Sequence, residues 1–374
     1  MIPIRKGLFR NKRRIHAFMD LSSACDIHCF HCWREAGPVE PMKVSRDQLG
    51  VLERDVFPFI ENLSLSCVGE PLIVSLFPQA LQAAKRAGVP YIRIQSNATH
   101  LDEEASGMLL DNGLTQLGVS MDAAHRESFN RIRAGADWDV VTENIKQFVR
   151  MRNERGRVDP EVSINFTLMQ ENCQEAVELF NVAKDLGVSS LSFHHMVVES
   201  EDTRHQNLCY DPALANKIYA QLRDESQKTG IAAYIPADLP DKIEPFSGSR
   251  IKDPVYHGVC RAAEGSWVFI TPNGNCYPCL NLQGRGPLGN IYETPFSDIW
   301  YQDRNQSFRG KAIDNHCVNG CDNCKAVLDD NVKSELAFLA PRLTVEPLSS
   351  DGPVLPGESA ASDGIPVGGV YAQS

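Results

Sequence analysis

The feature that most constrains the fold is a repeat of a short apolar strand, a polar turn and an amphipathic helix, which runs from residue 14 to about residue 230. The predicted strands are Ile15–Ser22, Leu63–Val68, Tyr91–Ser96, Gln116–Met121, Glu161–Met169 and Ser190–Val197. The predicted helices are Arg46–Phe57, Phe77–Ala87, Glu103–Asn112, Trp138–Arg150, Gln174–Leu186 and Pro212–Gln227. Capping residues begin some of these helices and glycines end others, as at Ser45, Asp102, Gly88, Gly113 and Gly187. Six such units imply a parallel α/β sheet, closed as a barrel or open, with chemistry on loops at the carboxyl ends of the strands.

Amino-acid composition predicts further segments before and after the α/β repeat. Residues 232–255 are rich in proline and charge, a cysteine-rich stretch follows, and the last residues are rich in Pro, Gly and Ser, which predicts disorder. The predicted organisation is a basic arm at 1–14, the α/β domain at 15–231, a linker at 232–255, a small cysteine-rich domain at 256–340 and a tail at 341–374.

Charge and hydropathy limit the partners. The net charge of −11 has the wrong sign for a protein that neutralises phosphates, so nucleic acid is not an expected partner. The sequence contains no apolar run near the ~18–20 residues that cross a bilayer, and the N-terminal arm has no apolar signal core, so we expect a cytoplasmic protein with no membrane partner. The basic arm suits either docking of an acidic electron donor or a solvated terminus.

Cysteine spacing predicts metal binding. The chain has 12 cysteines, and nine of them fall into two tight groups, a pattern that in a reducing compartment favours metal ligation over disulfides. The first group lies in ACDIHCFHCWRE with the spacing C-x3-C-x2-C: Cys25, Cys29 and Cys32. The three isolated cysteines are expected to pack as small buried hydrophobes: Cys67, Cys173 and Cys209.

The first group offers three thiols and no fourth. A 4Fe-4S cluster usually takes four thiolates, so three leave one iron open to bind and reduce a substrate directly. A structural zinc site is the competing interpretation, with His28 or His31 as the fourth ligand.

This loop, which follows the first strand, resembles the hallmark of the radical S-adenosylmethionine (radical SAM) enzymes, and the resemblance covers about residues 14–230. It implies a partial (β/α)6 TIM-like barrel in which Cys25, Cys29 and Cys32 hold a 4Fe-4S cluster. It also implies that the amine and carboxylate of SAM chelate the fourth iron. One electron would then split SAM into a 5'-deoxyadenosyl radical that abstracts hydrogen from an unactivated carbon. Iron–sulfur potentials reach about −700 mV, which makes such a reduction plausible.

Motifs after later strands match further family elements and imply a SAM site. His31 stands where the family usually has an aromatic residue near the adenine. The stretch SCVGEPL is similar to the family's Gly-Gly-Glu element, with Val68 in place of the first glycine, and implies that Gly69 and Glu70 hold the methionyl amine. Asn97 in QSNAT matches the Asn of a frequent Thr-Asn-Gly element.

The fourth and sixth strands end in further candidates. GVSMDAAHRESFNRIRAG resembles the family's Ser-hydrophobic-Asp stretch and implies that Ser120 approaches the SAM ribose and Arg133 a carboxylate of SAM or substrate. The alternatives are a helix cap for Ser120 and Asp122 and a surface ion pair for Arg133. His194 and His195 must point to opposite sides of their strand, so at most one faces the barrel mouth, as a substrate contact or a structural residue.

The second cysteine group resembles the SPASM and twitch extensions of radical SAM enzymes, which carry one or two auxiliary 4Fe-4S clusters. Four cysteines match the single-cluster twitch form in order and approximate spacing: Cys260, Cys279, Cys321 and Cys324. Cys276 and Cys317 are left over, and Cys317 could share a cluster with Cys321 and Cys324 instead. The long cysteine run of a full SPASM extension is missing, which favours one auxiliary cluster over two. A four-thiolate zinc ribbon is the alternative.

These motifs predict an oxidoreductase that takes hydrogen from a small metabolite, such as a sugar or aminocyclitol, and passes an electron to the auxiliary cluster. Flavodoxin or ferredoxin would supply the first electron. The first cysteine lies 25 residues into the sequence, which leaves no room before it for the peptide-recognition domain of many peptide-modifying relatives. A peptide or protein maturase is the second hypothesis and a zinc-binding scaffold without activity the third. The sequence assigns no residue to proton exchange with the substrate.

Overall fold

The structure, a computed structural model, describes residues 15–36, 39–196, 201–239, 245–246, 250–251, 266–279 and 287–301. Within these residues one sheet contains ten strands. They are β1 (Ile15–Met19), β2 (Ile60–Ser64), β3 (Tyr91–Ser96), β4 (Gln116–Ser120), β5 (Glu161–Leu168), β6 (Ser190–His195), β7 (Ala232–Tyr234), β8 (Trp267–Ile270), β9 (Asn275–Tyr277) and β10 (Gly289–Asn290). The strand order is β10-β9-β8-β1-β2-β3-β4-β5-β6-β7, and all pairs from β8 to β7 are parallel. The predicted α/β class with a partial barrel is confirmed.

Helices connect the strands from β1 to β7, and a last described helix follows β10. They are α1 (Arg46–Val51), α2 (Phe77–Arg86), α3 (Glu103–Asp111), α4 (Arg126–Ile132), α5 (Trp138–Glu154), α6 (Glu175–Leu186), α7 (Pro212–Thr229) and α8 (Phe296–Tyr301). The predicted caps are confirmed where Ser45 and Gln48 form a capping box, where the Asp102 carboxylate accepts the Ala105 amide, and where Gly187 ends α6 in the left-handed region. Of the helices described, none is both long and apolar enough to span a bilayer.

The two faces of the sheet differ in chemistry. The outer face supplies the hydrophobic core under the helices, with buried residues such as Ile94, Val119, Ile164 and Phe193. The alternate positions of β3 to β6 point inward, and none is Val, Ile or Leu: Tyr91, Arg93, Gln95, Gln116, Gly118, Ser120, Glu161, Ser163, Asn165, Thr167, Ser190, Ser192 and His194. Closed (β/α) barrels fill this space with branched apolar side chains. On β3 to β6 the inner face of the sheet is mostly polar instead.

Several boundaries differ from the sequence prediction: β1 ends at Met19 and not at Ser22, and α1 ends at Val51 and not at Phe57. Strand β2 ends at Ser64, before the predicted Val68, because the backbone amides of residues 67–69 bond to a carboxylate and not to a neighbouring strand. Helix α4 was not predicted. Strand β7 falls within the predicted linker and pairs with β6, so the sheet continues past residue 231.

The cysteine-rich region joins the same sheet. Strand β8 pairs with β1 in register, with His16 opposite Trp267, and the ring of Trp267 meets that of Phe18 at 5.1 Å. Helix α8 packs its Phe296 ring against Phe59, at 5.6 Å, so this region is docked against the barrel.

Candidate radical SAM and cluster site

The three cysteines of the first group lie on a loop, residues 20–36, that begins where β1 ends; we call it the cysteine loop. A tight turn shapes it, since the Cys32 amide donates to the Cys29 carbonyl at 3.0 Å. A short antiparallel pair, His28–Cys29 with Arg133–Ala134, ties it to the end of α4. Cys29 is buried, while Cys25 and Cys32 are half-buried. Because it follows β1, the loop lies at the carboxyl edge of the parallel sheet, where the active sites of (β/α) barrels are found.

The environment of the three thiols fits metal ligation. Burial raises the pKa of Cys29 to about 11, although the nearby charge of Arg133 lowers it. Burial also raises the pKa of Cys25 and of Cys32, and each thiolate would raise the pKa of its neighbour. Three adjacent thiolates thus need a positive centre, and a metal keeps a ligating thiol deprotonated.

Neither histidine of the loop is placed as a zinc ligand. His28 is exposed and its Nδ1 lies 2.9 Å from Glu35, while Nε2 of His31 lies 3.6 Å from Asp122. In the part of the chain that the structure describes, no three His, Cys, Asp or Glu side chains converge as ligands of a single ion. Each histidine lies beside a carboxylate instead.

The loop after β2, residues 67–70, packs on the cysteine loop; we call it the Gly-Glu loop. The Glu70 amide donates to the Ala24 carbonyl at 2.9 Å. A Cβ on Gly69 would lie 2.6 Å from the Ala24 carbonyl oxygen and closer still to that of Ser22. Only glycine permits this approach of two backbones.

We expect Gly69→Ala to lower the free energy of unfolding by about 1–3 kcal/mol, because the clash involves two backbones and must separate the loops. SAM affinity should fall with it. Urea unfolding and equilibrium dialysis measure both. Gly50→Ala is the control, since a Cβ in α1 would meet nothing within 4 Å, and Ala should stabilise that helix. Equal stability of the two variants would contradict the prediction.

Asp20, at the end of β1, binds the Gly-Glu loop. Its Oδ1 accepts the amides of Cys67, Val68 and Gly69 at 2.8, 2.9 and 3.2 Å. The side chain is buried, and burial raises its pKa although the three amides and Arg34 lower it. The sequence analysis missed this residue; its signal was a carboxylate directly after an apolar strand.

Glu70 and Asn97 connect the loops after β2 and β3. Glu70 is buried, which raises its pKa, and its oxygens accept the amides of Leu72 and Asn97 at 3.0 and 2.7 Å and the Ser96 hydroxyl at 2.8 Å. The Asn97 side-chain amide donates to Asp26 of the cysteine loop at 2.8 Å. Both residues therefore hold the cysteine loop in place, and their contact with SAM stays a prediction.

Asp122 and Arg133 form a buried ion pair beside Cys29. Arg133 Nη1 lies 2.6 Å from Asp122 Oδ2, and the residues are 5% and 1% exposed. Burial would raise the pKa of Asp122, but His31, Arg133 and the Thr167 amide outweigh it and lower the pKa. Neither alternative of the sequence analysis holds for this pair, because Arg133 is not on the surface and Asp122 caps no described helix. The buried Nε of Arg133 has no hydrogen-bond partner among the described residues.

Ser120 belongs to an inward-facing network. Its hydroxyl accepts from the Gln95 side-chain amide at 2.7 Å, and the Asn165 side-chain amide donates to Oε1 of Gln95. His194 shares this face and lies 2.8 Å from the Ser192 hydroxyl. His195 points the other way, toward Tyr219 of α7 at 3.2 Å, as expected for a structural histidine. Gln95 was missed; its signal was the period-two polar pattern of β3.

The structure describes two cysteines of the second group. Cys276 is buried in β9, and burial raises its pKa well above the usual range. Cys279 is half-buried just after β9. The other predicted ligands lie outside the described residues: Cys260, Cys317, Cys321 and Cys324.

Comparisons with known proteins match both cysteine groups. The "Radical SAM superfamily" model matches residues 19–183, and the SPASM model, an "Iron-sulfur cluster-binding domain", matches residues 260–325. The chain is 23% identical over 338 residues to the "Tungsten-containing aldehyde ferredoxin oxidoreductase cofactor-modifying protein" of Pyrococcus furiosus. The aligned residues cover 83% of this chain and 86% of that protein.

Solved structures share the fold. Streptococcus suis SuiB bound to S-adenosylmethionine superposes with a TM-score of 0.62 at 18% identity, over 79% of this chain and 67% of SuiB. Native anSMEcpe with bound AdoMet superposes with a TM-score of 0.60 at 17% identity, over 86% of this chain and 96% of anSMEcpe. All nine cysteines of the two groups lie within the matched family regions.

Proposed function

Since this chain belongs to the radical SAM superfamily and carries a C-terminal SPASM domain, we propose that it cleaves SAM reductively and abstracts hydrogen from a carbon of a small polar metabolite. Both domains bind 4Fe-4S clusters, and the homologues are enzymes. A non-enzymatic zinc scaffold is therefore not supported. The observation that carries the proposal is the convergence of Asp20, the Gly-Glu loop, Asn97 and the Asp122–Arg133 pair on one three-cysteine loop.

The residues around that loop have separable roles. Cys25, Cys29 and Cys32 would hold a 4Fe-4S cluster, which would supply the electron for the reductive cleavage of bound SAM. Arg133 is suited to the SAM carboxylate, because its unpartnered Nε donor is buried next to Cys29. Asp122 holds the guanidinium in place at 2.6 Å and compensates its charge. His31, half-buried beside Asp122, is the candidate for stacking near the adenine.

The inner face of the barrel supports a polar substrate. Amide and hydroxyl groups of Gln95, Ser120, Asn165 and Ser192 line it, and they can both donate and accept. Sites that hydrogen-bond substrate hydroxyls reject apolar analogues strongly, because buried polar groups would be left unpaired. A sugar or aminocyclitol matches this surface, which offers hydrogen bonds on several neighbouring strands.

The SPASM domain is proposed to receive an electron from the substrate radical. Cys276 and Cys279 lie on and just after β9, whose neighbour β8 pairs directly with β1, the strand that leads into the cysteine loop. One auxiliary 4Fe-4S cluster there, with Cys260, Cys279, Cys321 and Cys324 as ligands, remains our proposal, and flavodoxin or ferredoxin is the proposed electron donor. The SPASM match also keeps peptide or protein maturation as the second candidate function.

One experiment tests the activity and separates the two substrate classes. Reconstituted, anaerobically reduced enzyme is incubated with SAM and either carbon-deuterated sugars and aminocyclitols or deuterated short peptides. We expect about eight irons per chain, as two 4Fe-4S clusters require, and deuterium in 5'-deoxyadenosine only with the metabolites. Deuterium from the peptides alone would favour the maturase. No SAM cleavage by fully loaded enzyme would refute the activity.

A further inference from the structure

We propose that Asp20 is a positioning residue for SAM, an inference that rests on the function proposed above. It is 3% exposed, and one of its oxygens accepts three consecutive backbone amides, those of Cys67, Val68 and Gly69. This carboxylate stands five residues before Cys25 in the sequence. It therefore connects the start of the cysteine loop to the whole turn of the Gly-Glu loop.

The direction of these bonds decides which groups the Gly-Glu loop can offer. In a planar trans peptide the N–H and C=O point in opposite directions. Because the amides of Val68 and Gly69 point to Asp20, the carbonyl oxygens of Cys67 and Val68 turn away from it. The loop thus has its donors already bonded and presents acceptors. Acceptors are what SAM's methionyl amine requires, because its lone pair would be bound to iron and its N–H groups then only donate.

Asp20 also fixes the distance between the two loops. Gly69 is pressed against the carbonyls of Ser22 and Ala24, and the Glu70 amide reaches the Ala24 carbonyl at 2.9 Å. Loss of the carboxylate acceptor would leave three buried amides without a partner, which the turn can relieve only by rearranging. The acceptors would then leave the position that SAM needs while the three cysteines stay in place.

Two substitutions separate position from charge. Asp20→Asn keeps an oxygen acceptor at the same place and removes the charge, whereas Asp20→Glu keeps the charge and displaces the oxygen by one methylene. By equilibrium dialysis of the reconstituted full-length enzyme, we expect Asp20→Asn to bind SAM nearly as well as wild type. Asp20→Glu should bind SAM about 10- to 100-fold more weakly, the size of effect typical of residues that hold ligand-binding groups in place. Iron content should be equal in all three.

Hydrogen exchange supplies a readout that needs no cluster. In the cluster-free enzyme, the amides of residues 67–69 should stay protected in wild type and Asp20→Asn and exchange faster in Asp20→Glu. Asp211→Glu is the control, since Asp211 accepts the Leu214 amide at 3.0 Å at the start of α7, and it should leave both readouts unchanged.

The outcomes are distinguishable. Equal SAM affinity of Asp20→Glu and wild type overturns the positioning role, and an Asp20→Asn variant that binds weakly beside such an unchanged Asp20→Glu would make charge the cause. If wild-type enzyme with its full iron content binds no SAM, the proposed function fails and this inference fails with it.

Discussion

We expect Cys29→Ala to abolish SAM cleavage and to remove about four irons per chain, while the iron of the SPASM domain remains. Cys29 is the most buried thiol of its group and pairs through its backbone with Arg133, so no other described thiol can take its place without moving that pair. Two thiolates would leave a second iron without a protein ligand. We expect 5'-deoxyadenosine below detection by chromatography after reduction with dithionite, with iron measured on the same sample.

Cys173→Ala is the matched control for this result. Cys173 is also buried, and its thiol donates only to the Gln170 carbonyl, at 3.4 Å, near the start of α6. This variant should keep both its iron and its SAM cleavage. If Cys29→Ala still forms 5'-deoxyadenosine, or if it loses the iron of both domains, the assignment of the first cluster to this loop is wrong.

The strand and helix pattern was predictable where it is local. The alternation of apolar and polar residues, together with the glycines between elements, predicted both ends of β3, Tyr91–Ser96, and the start of β6 at Ser190. The end of β2 was not predictable, because its last predicted residues, Cys67 and Val68, bond to Asp20, which lies 47 and 48 positions away in sequence. Strand β7 has three residues in a proline-rich stretch, and only its pairing with β6 makes it a strand.

In the site, too, residues close together in sequence were predictable and residues with distant partners were not. The three cysteines of the first group were found because they lie within eight residues of sequence. Asp20, Asp26 and Gln95 were missed, because each acts through partners on another loop or strand that only the folded sheet brings together. For the same reason, the sequence did not decide whether Arg133 is buried or on the surface. Its partner Asp122 is 11 residues away, across the turn between β4 and the end of α4.

These contacts make the cysteine loop dependent on the barrel. Asp20 and the Gly-Glu loop support it from β1 and β2, Asn97 from β3, and Arg133 from the end of α4. A cluster ligand set built on a short loop needs such support, since residues behind the ligands fix their orientation. The family motifs after successive strands therefore act as structural supports, and their contact with SAM stays a prediction.

Among these supports, the Asp122–Arg133 pair should contribute most to stability. We expect Asp122→Asn to lower the free energy of unfolding by about 3–5 kcal/mol, because a buried guanidinium is left with no compensating charge within hydrogen-bond distance. The change keeps the side-chain volume, so a cavity would not explain the loss. Urea unfolding of the cluster-free enzyme measures it without contribution from iron.

Asp238→Asn makes the same substitution in an exposed pair. Asp238 is 2.7 Å from Arg223, and their side chains are 59% and 40% exposed. Solvent screens such a pair, so the loss should be about 0–1 kcal/mol. Adding Arg133→Met to Asp122→Asn should recover stability, because the uncompensated charge is then gone. If the two Asp→Asn variants unfold at the same urea concentration, or if the double variant is less stable than Asp122→Asn, the buried charge is not what makes this position sensitive.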